Sequence, residues 1–201
     1  MIKNYFHFIL SILIIGLFFI LKIKNRQDQH HFDINIPICI LKDGDIIFRR
    51  GETFISDTIA DLSVYDKRFS HVGIIRKIDT LVSVIHAEGS SNPKDSIVKE
   101  ESLNSFWMNA KSVGIYRVNE LDGHNISTLA TEFLGLPFDW NFDLNDDTQL
   151  YCTELVYIII RSINPEMTLS TVWVDEVNRF VIPIDAISLS GFFAEIGYWE
   201  K

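Results

Sequence analysis

The chain has 201 residues, of which 47% are apolar, and its formal net charge is −9. That length fits one small domain with its own core once a leading segment is set aside, and no internal repeat or low-complexity tract competes with this reading. The acidic balance, with no basic stripe interleaved with aromatics, argues against a nucleic-acid partner.

The first element is residues 5–21, almost wholly apolar, with Lys3 before the run and Lys22, Lys24 and Arg26 after it. This is a membrane-targeting pattern, and residues 1–24 are expected to form an anchor or a signal segment. The run is slightly short of the roughly 20 residues a span needs. No small-x-small cleavage site is evident, which favours an uncleaved anchor. Charge on both flanks leaves orientation open, but a signal-like N-terminus usually delivers the downstream domain across the membrane. The expectation is a membrane-anchored protein with an extracytoplasmic domain, or a secreted or periplasmic one if the segment is cleaved.

Residues 25–36 read as a polar linker. His30 and His31 fall there, and no other ligands lie at a matching spacing for a metal. Cys39, in Ile36-Pro37-Ile38-Cys39-Ile40, sits well beyond the apolar run with no small residue before it. It reads as a buried or linker residue rather than a lipid-attachment site. A disulfide between Cys39 and Cys152 is not expected, because it would disable Cys152 as a nucleophile.

Residues 37–201 form the expected folded domain. Asp43-Gly44-Asp45 is a turn signal, followed by a strand at 46–48. Residues 56–65 suggest a short helix. Two β-branched runs, 71–78 and 81–87, are joined by the short connection Asp79-Thr80, which predicts an antiparallel hairpin with His71 and His86 near the same end. Residues 90–109 read as a loop, 112–118 as a third strand and 126–134 as an amphipathic helix. Residues 139–150 are a loop rich in aromatics and acids, and 152–163 a mostly buried helix. The tail, 172–201, is expected to complete the core or cover part of a cleft. Strands in the middle with helices at both ends describe an α+β domain in which a helix packs on an antiparallel sheet.

The segment Gln149-Leu150-Tyr151-Cys152-Thr153-Glu154-Leu155-Val156 puts a thiol where a polar loop becomes a helix. Unpaired N–H groups and partial positive charge at a helix start stabilise a thiolate and are expected to lower the Cys152 pKa. His71, opening a strand, is the candidate base. Alternation along the second strand places Val84, His86 and Glu88 on one face, so either His86 or Glu88 is placed to be the third group. Cysteine, histidine and a third polar group are the parts of a papain-type site.

The order is reversed from papain, where the cysteine comes before the histidine. Together, Gly44-Asp45-Ile46-Ile47-Phe48, Ser70-His71-Val72-Gly73-Ile74, Val84-Ile85-His86-Ala87, Gly135-Leu136-Pro137-Phe138-Asp139 and Tyr151-Cys152-Thr153-Glu154-Leu155-Val156 resemble the YiiX-like permuted papain-fold cysteine hydrolases. These are relatives of the NlpC-type cell-wall peptidases and of the lecithin:retinol acyltransferase group. The resemblance runs from about residue 41 to about residue 164 and implies a circularly permuted papain-like (NlpC-type) fold. It also implies a cysteine hydrolase working through a thioester on an amide or ester, with a cell-wall peptide or a lipid-derived acyl group as substrate. In the resembling family the position before the Ala of the second strand is usually a carboxylate. Here it is His86, as in the acyltransferase relatives, and Glu88 stays as the alternative.

The backbone N–H of Cys152 is the natural oxyanion donor, and the resemblance adds Tyr151 as a second. No cofactor or metal is implied, since a metal-dependent hydrolase would need a spaced ligand set such as His-Glu-x-x-His. Glu154 is expected to make a structural hydrogen bond at the helix start, and His124 to lie on a surface turn. Asp139, Trp140 and Phe142 either line a cleft or cap the core. The competing function is a non-catalytic papain-like module that binds a cell-envelope peptide or lipid.

Overall fold

The β-branched runs in the middle of the chain become strands, and pairing follows their alternation. In the computed structural model, which describes residues 36–201, these are β1 (Ile46–Gly51), β2 (His71–Ile78), β3 (Leu81–Glu88), β4 (Ile97–Ser102), β5 (Ala110–Val118), β6 (Val172–Val174), β7 (Arg179–Val181) and β8 (Phe193–Glu200). Six of them form one sheet in the order β4-β3-β2-β1-β5-β8, while β6 pairs with β7. Every neighbouring pair is antiparallel. The apolar run at 5–21, the polar linker up to residue 35, and His30 and His31 lie outside the described residues.

The predicted hairpin is present: Ile78 pairs with Leu81 across the two-residue connection. Asp79 takes a left-handed φ of 54° there, a conformation that Asp tolerates better than most residues. At the start of β1, Gly44 has φ 76° and packs against Gly123, where an added Cβ would fall 2.3 Å from the Gly123 carbonyl oxygen.

The helices are α1 (Phe54–Asp61), α2 (Leu103–Trp107), α3 (Gly123–Thr131), α4 (Cys152–Ile163) and α5 (Ile184–Ser188). Spacing explains why α4 sits on the sheet: Leu155, Val156, Ile159 and Ile160 share one stripe and are wholly buried. They pack with Ile46, Phe48, Val72, Ile74, Ile85 and Ala87 of the sheet and with Ile126 and Ala130 of α3. Each of these four helix side chains stabilises the fold by about 1.5–3 kcal/mol through burial.

Helix boundaries shifted where caps decide them. Thr53 accepts the Ser56 N–H and starts α1 ahead of the predicted residue 56. Asp122 accepts the His124 N–H and starts α3 ahead of the predicted residue 126. The segment 90–109, read as a loop, contains β4 and α2. Its consecutive charges at Lys99, Glu100 and Glu101 hide the strand alternation, and pairing with β3 supplies the order. The tail completes the sheet: β8 pairs with β5, and Phe193 joins the core.

Both cysteines are free, and Cys39 is exposed rather than buried. Among the described residues no helix is long and apolar enough to cross a membrane.

Candidate active site

Cys152 is the first residue of α4, and its neighbours fix that helix start. Tyr151, extended at φ −99° and ψ 172°, precedes it. The Glu154 carboxyl accepts the Tyr151 N–H at 3.3 Å, which ties down one end of the first turn. The Tyr151 hydroxyl accepts the Ile182 N–H at 3.0 Å, and the Thr153 hydroxyl donates to the Ile182 carbonyl at 2.7 Å. Residues on both sides of the cysteine are thus clamped to one backbone unit, while Cys152 itself stays partly accessible. Its sulfur lies beside the backbone N–H groups of Val72, Thr153 and Cys152.

Val72 is the residue after His71, so the β2 backbone that supports the thiol also carries the imidazole. His71 Nε2 lies 2.7 Å from His86 Nδ1. Gly73 permits the approach of the two strands: a Cβ there would fall 2.6 Å from Val84 Cγ1 and 3.1 Å from His86 Cβ. The Phe106 ring stacks on His71 at 5.6 Å between centroids and meets His86 edge-on at 5.1 Å. Arg49, which pairs with His71 across β1 and β2, sits 4.8 Å above Phe106 and donates to its carbonyl at 2.6 Å.

His86 is fully buried. Its Nε2 lies 2.9 Å from Glu101 Oε1, but the oxygen is out of line with the ring N–H, and Nε2 has no aligned hydrogen bond. The contact is electrostatic rather than a well-directed bond. Glu88, the alternative third residue, turns elsewhere: Arg49 Nη2 lies 2.9 Å from its Oε1, and Lys99 contacts its Oε2. The place next to His71 is taken by His86.

Burial dominates the titration of this group. It pushes the Cys152 thiol up to about 11, against the opposing pull of the three N–H groups and Arg49. The helix-start effect expected from sequence is therefore present but outweighed, because the sulfur is desolvated. Burial likewise holds His71 well below its ordinary value, helped by Arg49, His86 and Lys99. His86 is lowered by burial against the pull of Glu101 and Glu88. Burial raises Glu101, but His86, Lys99 and Arg49 together outweigh it and hold the carboxyl below its usual range.

His86, Glu88 and Glu101 have ligand atoms within 4.8 Å of one another, the one grouping near the thiol with donors for a cation among the described residues. Lys99 already fills that role, contacting Glu88 and lying 3.7 Å from Glu101 Oε2. With Arg49 also on Glu88, two fixed cations face two carboxylates. The cluster fits an ammonium, and a divalent ion would have to displace Lys99.

The remaining sequence candidates sit apart from this group. Asp139 is buried and accepts the N–H groups of Asn141 and Asp143 at 2.7 and 2.6 Å, so it organises its own loop. Trp140 donates to the Ser96 hydroxyl at 3.0 Å, and Phe142 packs 5.0 Å from Tyr151. Glu154 has the structural role expected of it, and His124 is exposed beside Asp43. Surface hollows lie along the outer side of α4, at Leu144, Tyr157 and Arg161, and around Tyr65 and Leu169; neither is lined by Cys152 or His71.

Arg49, Lys99, Glu101 and Phe106 were not singled out from sequence. Register would have found Glu101: it pairs with Val84, and Lys99 with His86, so both share the face of His86. That step needed β4 to be recognised as a strand.

A family model described as a permuted papain-like amidase enzyme, YaeF/YiiX, C92 family, matches residues 40–172. The crystal structure of metalloprotein yiiX from Escherichia coli O157:H7 is similar in fold, with a TM-score of 0.65. The likeness covers 80% of this chain and 98% of that one at 17% sequence identity. No curated protein matches the chain by sequence.

Proposed function

Because this chain belongs to the C92 family of permuted papain-like amidases, with the YiiX-like fold and a hydrolase activity of the amidase or peptidase type, we propose that it cleaves an amide or ester through a thioester on Cys152. His71 is the base and His86 the third residue. The observation that carries this reading is the 2.7 Å contact between His71 Nε2 and His86 Nδ1. It leaves Nδ1 of His71 for a thiol that lies against the next residue's N–H.

Burial keeps both partners neutral at rest, so the proton moves during attack. As Cys152 Sγ bonds to the substrate carbonyl carbon, His71 Nδ1 takes the thiol proton. The carbonyl π electrons become an oxyanion, stabilised by the backbone N–H of Cys152. We assign the Tyr151 hydroxyl to anchoring the helix start, through the Ile182 N–H that it accepts, and the oxyanion to the backbone N–H. Collapse breaks the bond to the amine or alcohol, which leaves with the proton from His71. Water then attacks the thioester as His71 takes its proton, and the acid departs as the proton returns to sulfur.

The yiiX structure is described as that of a metalloprotein. In this chain Lys99 stands between the carboxylates that would ligate an ion, so the proposed steps use side chains alone. We further propose that residues 1–24 hold the domain at a membrane on the extracytoplasmic side, where cell-envelope peptides or lipid-derived acyl groups are the substrate classes. The apolar run and its flanking charges support that placement.

The test is hydrolysis by the full chain of a panel of peptide amides and acyl esters, with mass spectrometry for an acyl group on Cys152. Acyl-enzyme in the wild type and none in Cys152→Ala supports the reading. Hydrolysis indifferent to Cys152→Ala would sink it, and binding without turnover would favour the non-catalytic module.

A further inference from the structure

We propose that Glu101 is a positioning residue that selects the tautomer of His86 and, through it, that of His71, so that the unprotonated nitrogen of His71 is Nδ1. The inference rests on the Cys152–His71 reading for its consequence, but the tautomers are set by three contacts alone.

At 2.9 Å from His86 Nε2, the Glu101 oxygen is close enough to decide where the proton sits. An ionised carboxylate only accepts. A negative carboxylate that close favours the tautomer whose N–H end is turned toward it, because that is the positive end of the imidazole dipole, so Nε2 carries the proton even though the oxygen is off its axis. His86 is buried and neutral, which leaves Nδ1 bare. That nitrogen faces His71 Nε2 at 2.7 Å, and one of the two must hold a proton. It is therefore His71 Nε2–H, and His71 Nδ1 is bare. This assignment comes from the hydrogen-bond network.

The opposite arrangement is equally satisfied internally. With the proton on Nδ1, His86 would donate to His71 Nε2, and His71 would carry its own proton on Nδ1. On the Cys152–His71 reading, the thiol would then meet a donor instead of a base. Nothing within the histidine pair prefers one state, so the bias comes from outside it. The β3–β4 register supplies it, placing Glu101 opposite Val84, and Lys99 opposite His86, on one face. Lys99, 3.7 Å from the other Glu101 oxygen, helps keep the carboxyl ionised.

The experiment is imidazole ¹⁵N NMR on the full chain, read together with the rate at which 2-chloroacetamide alkylates Cys152. In the wild type both His71 and His86 are expected as Nε2–H tautomers. In Glu101→Ala, His86 is expected to gain the Nδ1–H form and alkylation to slow by about tenfold, with Glu101→Asp recovering part of both. Glu101→Gln keeps the side-chain shape if the alanine variant does not fold, and its amide can donate to Nε2, so mixed tautomers are expected there too. Retention of Nε2–H on both rings in Glu101→Ala and Glu101→Gln would overturn the proposal. Failure of the catalytic reading is separately visible: His71→Ala would alkylate as fast as wild type while the tautomers still responded to Glu101.

Discussion

His71 Nε2 and His86 Nδ1 meet at 2.7 Å although they lie fifteen positions apart in the chain. A two-residue turn between β2 and β3 sets the register, and Gly73 removes the side chain that would hold the strands' inner groups apart. The pair is then closed by Phe106, which touches both rings.

If His86 rather than Glu88 orients His71, replacing them has unequal effects. His86→Ala is expected to slow Cys152 alkylation by about tenfold or more, while Glu88→Gln, which disturbs ion pairs with Arg49 and Lys99, costs far less. Equal losses, measured as alkylation rates at one pH, would assign the role to the carboxylate.

Gly73→Ala is expected to destabilise the fold by about 1–3 kcal/mol, because its Cβ would fall 2.6 Å from Val84 Cγ1 and have to displace the β3 side chains. Urea unfolding measures the loss. An alkylation rate reduced in the still-folded variant would show that His86 had moved with Val84.

The fold was legible where periodicity is strong. Helix α4 was read from residues 152–163, and its observed bounds are the same, because a thiol-bearing loop meets an unbroken apolar stripe there. The β2–β3 hairpin was equally plain. What escaped was β4, whose Lys99-Glu100-Glu101 run looks like solvent-facing loop until the partner strand is in place, and with it Glu101. Arg49 and Phe106 escaped for a related reason: only tertiary packing carries an exposed-type cation and a ring from a short helix onto His71. The thiol pKa was misjudged because the helix start is visible in sequence, whereas the desolvation that outweighs it is not.

Glu154 gives a pH signature. Burial raises its folded-state pKa from an ordinary value of 4.5 to about 8. Between those values the folded carboxyl keeps a proton that the unfolded one has lost, so its contribution to stability falls as pH rises through the window. Relative to wild type, Glu154→Gln is expected to gain stability from pH 5 to pH 8 in paired urea titrations. A difference that is flat with pH would contradict the raised value.

Tyr151→Phe removes the acceptor for the buried Ile182 N–H and is expected to cost about 1–3 kcal/mol of stability. With the oxyanion held by the Cys152 N–H, turnover per folded molecule should fall less than tenfold. A loss of about 10²–10³ would instead place the phenol among the oxyanion donors.

The central measurement is the pH profile of Cys152 alkylation by 2-chloroacetamide in the full chain, in a Cys39→Ser background so that one thiol remains. Burial holds the His71 pKa well below 6.5, so the base form is present throughout, and the rate should be level between about pH 6 and 9. In His71→Ala the thiol, pushed up to about 11, should react at least about tenfold more slowly at neutral pH and speed up steadily as pH rises. A wild-type rate that climbs with pH in the same way as His71→Ala would contradict activation of Cys152 by His71.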